Sequence, residues 1–184
     1  MVIKNKLESS ETINRLGLNR FPEQIFTADE ETKVKQFITN NPAEFYAIRD
    51  KSKAGGVFKL KVAADKVLEE IDEYSLFSIN VSSINYIDNQ LLVGEVEFFS
   101  DGKVYATLSL DSSASVRDAL KKPDFNLKTT IFDKKLNDIP GFDYIYKYIY
   151  DNNLNDVIVE FALFDKEVGI KKDKVIVYEL RTNY

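Results

Sequence analysis

The runs Val157-Ile158-Val159-Glu160-Phe161 and Val177-Tyr178-Glu179-Leu180-Arg181-Thr182 flank a charged connection with Gly169 near its middle. Two strand-like runs around such a connection predict an antiparallel β-hairpin at the end of the sequence. Side chains alternate along a strand, so Glu179 and Arg181 are expected on one face. A turn symmetric about Gly169-Ile170 sets Glu160 directly opposite Glu179. Facing carboxylates repel, so positive charge is expected between them. Arg181 is one source of that charge, and a divalent cation carrying a phosphate is the other.

With 184 residues the chain can bury one sizeable core or two small lobes. It has no cysteine and no histidine. Disulfides within the chain, thiolate nucleophiles, Ser-His-Asp triads and imidazole or thiolate metal sites are therefore excluded. Any metal must be held by oxygen, which favours Mg²⁺, Mn²⁺ or Ca²⁺. The net charge of −5 argues against broad nucleic-acid binding, leaving a local basic groove open. No apolar run approaches the length of a membrane span, and Met1–Lys6 lacks a signal-peptide core. No membrane association and a cytoplasmic location are the expectations. Arginines are few (Arg15, Arg20, Arg49, Arg117 and Arg181), and they suit bidentate phosphate contacts.

Three segments are expected. Residues 1–42 read as a helical N-terminal segment, with a helix from Glu8 to Leu16, a loop from Leu18 to Phe26, and a second helix opened by a Thr27/Glu30 capping box. Residues 43–84 read as a small lobe. It comprises a strand at Phe45–Arg49, the loop Asp50–Gly56, a strand at Val57–Val62, a helix from Ala64 to Tyr74 and a strand at Leu76–Ser83. Strict alternation in the second strand puts Phe58, Leu60 and Val62 inward and Lys59 and Lys61 outward. Residues 85–184 form a larger lobe. Within it Ser100-Asp101-Gly102-Lys103 predicts a type I′ hairpin, a short helix ends before Pro123, and Pro140 opens another helix.

The loop Arg49-Asp50-Lys51-Ser52-Lys53-Ala54-Gly55-Gly56 offers backbone N–H groups and cations, as a phosphate cradle needs; a solvated hairpin connection is the alternative. Glu160 and Glu179 interrupt apolar strands, and each needs a partner if buried. They read either as acids bridged by Arg181 or as ligands of Mg²⁺ carried by a nucleotide. Tyr144, Tyr146, Tyr148 and Tyr150 scatter around a helix and make no stacking platform. Lys121-Lys122 and Lys171-Lys172 read as solvated turn charges.

In this order the elements resemble the ATP-grasp superfamily, over residues 43–184. The phosphoenolpyruvate-synthase and pyruvate-phosphate-dikinase branch is the nearer match, since it closes with Glu on one strand and Gln-x-Arg on the next. The resemblance implies an α+β, two-lobed ATP-grasp-like fold of mostly antiparallel sheets with packed helices. It implies Mg²⁺ and ATP as cofactors and ligase or phosphotransferase chemistry on an unknown small-molecule or protein acceptor. Arg49 resembles the phosphate-contacting cation, Gly55 and Gly56 the covering loop, and Asn80 and Ser82 the hinge. Glu160 and Glu179 resemble the metal ligands and Arg181 the phosphate-binding arginine. Ser52 and Lys59 join the expected nucleotide set. The chain departs from the family at the hinge acid, unless Asp88 or Glu95 replaces it, and reads Glu-x-Arg where Glu-x-Asn is usual. It also leaves no room for the substrate-binding domain that usually precedes these lobes. A non-catalytic interaction module with the same fold is the alternative. A metal-dependent nuclease using Glu160, Glu179 and Lys59 or Lys61 is a third reading.

Overall fold

Two antiparallel sheets, each with its own helices, account for the architecture. The computed structural model describes residue 3, residues 6–52 and residues 57–182. These group into two compact units, one of residues 1–20 and 88–184 and one of residues 21–87. The residues of the expected N-terminal segment, 1–42, thus divide between the units at Arg20.

The smaller unit holds β1 (Glu23–Thr27), α2 (Glu31–Asn40), β2 (Phe45–Asp50), β3 (Phe58–Ala63), α3 (Val67–Ile71) and β4 (Leu76–Val81), its sheet ordered β1-β4-β2-β3. α2 follows Thr27 but begins later than expected, at Glu31 with Glu30 as its N-cap. The Thr27 N–H donates to the Glu30 carboxylate at 3.0 Å, and the Thr27 hydroxyl turns to Asp29 instead of closing the box. β1 was expected to be loop. Pro22 precedes its first residue and β1 lies at the sheet edge, where a proline and the half-exposed Ile25 are tolerated. The helix expected from Ala64 to Tyr74 is shorter: a 3₁₀ turn at Ala64–Lys66 followed by α3.

A register shift in the β2–β3 ladder corrects the expected alternation. Tyr46 pairs with Val62, but Ile48 pairs with Lys59 and Arg49 with Phe58. Paired residues share a face. Val62 therefore joins the buried Tyr46 and Ile48 as expected, whereas Phe58 lies on the opposite face with Arg49 and is 47% exposed.

The larger unit holds α1 (Lys6–Leu16), β5 (Gln90–Phe98), β6 (Lys103–Ser109), α4 (Val116–Lys121), β7 (Phe125–Thr130), α5 (Phe142–Asp151), β8 (Ile158–Val168) and β9 (Asp173–Arg181). Its sheet is ordered β7-β6-β5-β8-β9. Val96, Phe98, Val104, Leu108, Val159, Phe161 and Leu163 of the sheet form one core with Ile13 of α1 and Ile145 and Ile149 of α5. Those helix positions recur at helical spacing and so share a stripe. α4 is opened by a Ser115/Asp118 capping box and packs on β5, β6 and β8. The edge of β9 is covered by the N-terminal segment: Ser9 Oγ accepts from Leu180 N–H at 2.7 Å and the Asn19 carbonyl from Val177 N–H at 2.9 Å. Ser9 lies inside α1, and its hydroxyl caps a strand edge.

Candidate functional site

The face of the larger sheet opposite its core carries a transverse row of acids. Glu95 on β5 pairs with Glu160 on β8, and Glu160 pairs with Glu179 on β9. The opposition of Glu160 and Glu179 is the one expected, but it arises differently. The turn closes with Val168 opposite Asp173, and Leu163–Val175 to Phe161–Val177 run in a shifted register. A bulge at Tyr178 then restores Glu179 to Glu160. Were the ladder to continue from Phe161–Val177 with Tyr178 paired, Glu179 would fall opposite Val159 and point into the core.

Cations fill the row. Arg181 shares the face of Glu179, as expected, and its guanidinium donates to Glu160 at 2.5 Å through Nη1 and to Glu95 through Nη2. Lys6 Nζ lies 3.5 Å from Glu179. Arg181 therefore bridges Glu160 and Glu95, while Glu179 is served by α1. The Glu160 carboxyl is nevertheless held above the usual carboxylate range, first by burial and then by Glu179; Arg181 opposes the shift, and Glu95 adds to it. A guanidinium shared between two acids does not neutralise three. Glu95, named from the sequence only as a possible hinge acid, belongs instead to the row with Glu160 and Arg181. Its alternation with Val96 marks a polar face, but nothing local shows that β5 lies beside β8.

The expected metal ligands fit a divalent cation in donor chemistry. Glu160 and Glu179 offer carboxylate oxygens on adjacent strands, and the row sets three carboxylates against two cations, Arg181 and Lys6. Among the described residues no group of three or more acids forms a metal cage. Mg²⁺ commonly uses one or two carboxylates and completes its shell with phosphate oxygens and water.

The remaining expected residues lie in the smaller unit and fall into separate environments. Arg49 stacks over Phe58 at 4.4 Å, pairs with Ser78 across the β2–β4 ladder, and shares its face with Asn80, the partner of Ala47. Ser78 Oγ is buried without a hydrogen-bond partner among the described residues, a gap that native structures seldom leave. It was not singled out from the sequence, where a lone strand serine carries no signal. Lys59 is on the other face, ion-paired with Glu70 and 5.9 Å from the Tyr74 ring. The Glu70 hydrogen bond holds its ammonium above the usual lysine value. Arg49 and Lys59 thus do not converge. Ser82 is fully buried, and its hydroxyl donates to the Leu60 carbonyl at 2.6 Å. The Asn80 amide donates to the Val81 carbonyl at 3.1 Å. Ser52 closes a turn onto Asp50 through its N–H at 2.8 Å and its hydroxyl at 2.5 Å. Gly55 and Gly56 lie outside the described residues.

A cavity of about 370 Å³ in the larger unit contains none of these residues; Asn19, Tyr144, Tyr148 and Lys171 are in its lining. Tyr144 and Tyr148, one helical turn apart, do share a face of α5 there. Burial pushes the Tyr148 phenol up to about 12, and its oxygen accepts from Asn19 N–H at 3.1 Å.

No family model and no curated protein sequence matches the chain. Solved structures do. An N5-carboxyaminoimidazole synthetase from Staphylococcus aureus aligns over 98% of this chain and 44% of its own, at 12% identity and a TM-score of 0.50. An N5-carboxyaminoimidazole synthase from Aspergillus clavatus, in complex with ADP and 5-aminoimidazole ribonucleotide, aligns over 97% and 44% at 12% identity, TM-score 0.48. A D-alanine-D-alanine ligase from Helicobacter pylori aligns over 96% and 50% at 12% identity, TM-score 0.44. The chain spans half or less of the length of each. At such identity the likeness is one of fold, and the fold is ATP-grasp-like: two antiparallel sheets with packed helices, as the sequence led us to expect.

Proposed function

We propose that the chain binds Mg²⁺-ATP and uses it in ligase chemistry on an unknown acceptor. The observation that carries this reading is the row Glu95–Glu160–Glu179 with Arg181 set among the carboxylates. Glu160 and Glu179 would hold the metal, and the metal would neutralise phosphate charge. Arg181 would exchange a carboxylate for a phosphate oxygen, a partner of equal charge and matching fork geometry. On the smaller sheet, Arg49 is the cation proposed for phosphate, with Asn80 and the orphan Ser78 hydroxyl as neighbouring polar contacts. Ser82, Lys59 and Ser52 are already engaged within that unit and are weaker members. Positioning and charge, without a histidine or cysteine, suffice for phosphoryl activation.

The Glu160…Glu179-x-Arg181 order supports the dikinase branch and phosphotransfer as the finer reading. A cytoplasmic location is proposed with it; among the described residues no helix is long and apolar enough to cross a membrane.

Calorimetry with ATP and Mg²⁺ tests the proposal. Saturable binding that Glu179→Ala and Arg49→Ala each weaken is the expected result. Absent binding, or binding indifferent to both, would leave the non-catalytic module as the better account. At a hundredfold excess over Kd, the ligand should add about 2.7 kcal/mol of stability.

A further inference from the structure

β7 is an edge strand of the larger sheet, with no strand paired to its outer side among the described residues, and its surroundings carry charge opposite to that of the chain. Residues 117–135 hold Arg117, Lys121, Lys122, Lys128, Lys134 and Lys135 against Asp118, Asp124 and Asp133, a net +3 in a chain of −5. All three acids are occupied locally. Asp118 closes the α4 capping box, Asp124 accepts from Leu110 N–H at 2.7 Å, and Asp133 accepts from Thr129 and from Lys135 N–H. None of the six cations makes an ion pair among the described residues.

Their placement is linear. Lys121-Lys122 precede β7, Lys128 lies within it and Lys134-Lys135 follow it, so the cations span a strand of about 20 Å. Aromatic rings stand among them. Lys128 Nζ lies 5.3 Å over the Tyr105 ring, Tyr105 packs edge-on to Phe99 at 4.7 Å, and both Tyr105 and Phe99 reach the surface. Phe132, in the turn after β7, is 87% exposed. Ile131 N–H ties that turn to the Gly102 carbonyl at 3.0 Å, beside the β5–β6 turn.

We propose that this edge binds single-stranded nucleic acid, with phosphates along the lysines and bases stacked on Phe132 and Tyr105. Cations alone would suit any polyanion. Exposed rings interleaved with them select a ligand that has both phosphates and flat faces. Lys128, Tyr105, Glu97, Ile158 and Arg181 are successive partners across the sheet, so the edge and the acidic row share one face, with Glu160 three strands or about 14 Å away. As the identity of the acceptor this inference rests on the ATP-dependent reading; as a binding surface it stands without it.

Fluorescence anisotropy in nucleotide-free buffer, with a labelled single strand of about twelve residues as probe, separates the two. The expected result is saturable binding whose log–log salt slope is about −0.7 per phosphate contacted. Lys121→Glu with Lys122→Glu should flatten that slope by about 1.4. Phe132→Ala should weaken binding about tenfold at unchanged slope. Lys35→Glu, on α2 in the other unit, serves as the charge control and should change nothing. No binding would overturn the proposal. So would equal displacement by polyglutamate together with no effect of Phe132→Ala, which would mark a surface for polyanions in general.

Discussion

Arg181 reaches Glu160 at 2.5 Å from two positions beyond Glu160's own cross-strand partner, Glu179. The diagonal is possible because the bulge at Tyr178 keeps Glu179 and Arg181 on the acidic face. The same guanidinium holds Glu95, so one cation serves two of three carboxylates.

Glu160 should make stability depend on pH in an unusual direction for a carboxylate. Its pKa is raised in the folded state, so below the ordinary value of 4.5 its contribution is fully present, and it is lost as pH rises through the folded pKa. Denaturant midpoints measured upward from pH 4.5 should show this loss in wild type and a smaller one in Glu160→Gln. A wild-type midpoint rising through that window by an amount that Glu160→Gln abolishes would contradict it.

Arg181→Met removes the bridge and leaves two half-buried acids facing each other. The cost should be about 1–2 kcal/mol, below that of a fully buried pair because solvent still reaches the row. Urea unfolding measures it, and Arg181→Met combined with Glu160→Gln should recover part of the loss.

Asn19 is 1% exposed, and its amide donates to the carbonyls of Val168, Asp173 and Val175 while its oxygen accepts from Lys171 N–H. Asn19→Ala should cost about 3 kcal/mol, since it strands several buried groups at the β8–β9 turn. Asn19→Asp should not rescue stability, because a carboxylate cannot donate to three carbonyls. Hydrogen exchange at Val175 and Val177 would locate the damage.

Gly94 adopts φ +154°, and a Cβ there would meet the Thr107 carbonyl oxygen at 2.1 Å. Gly94→Ala should destabilise the chain by about 3 kcal/mol or more, read from thermal or urea unfolding. The close approach of β5 to β6 beside Glu95 depends on this residue having no side chain.

Much of the fold was legible because it rests on local chemistry. Asp101-Gly102 marked the β5–β6 turn, although not the type I′ turn expected: only Gly102 takes a positive φ (+86°), Asp101 does not, and Gly102 N–H returns to the Phe99 carbonyl at 2.9 Å. Pro123 marked the end of α4. The spacing of Ile145 and Ile149 marked the core face of α5. The bulge at Tyr178 shows in the core-facing residues of β9, which run Val175, Val177 and then Leu180, a step of three that strict alternation forbids. Residue types and strand periodicity alone determined that any metal here meets oxygen, that the chain ends in a hairpin, and that Glu179 and Arg181 share a face. Tertiary structure decided which strands became neighbours. It brought Glu95 beside Glu160, turned Lys59 away from Arg49, and assigned Lys6 to Glu179. Those outcomes depend on sheet order and register, which are set by core burial between segments far apart in sequence, and no local pattern encodes them.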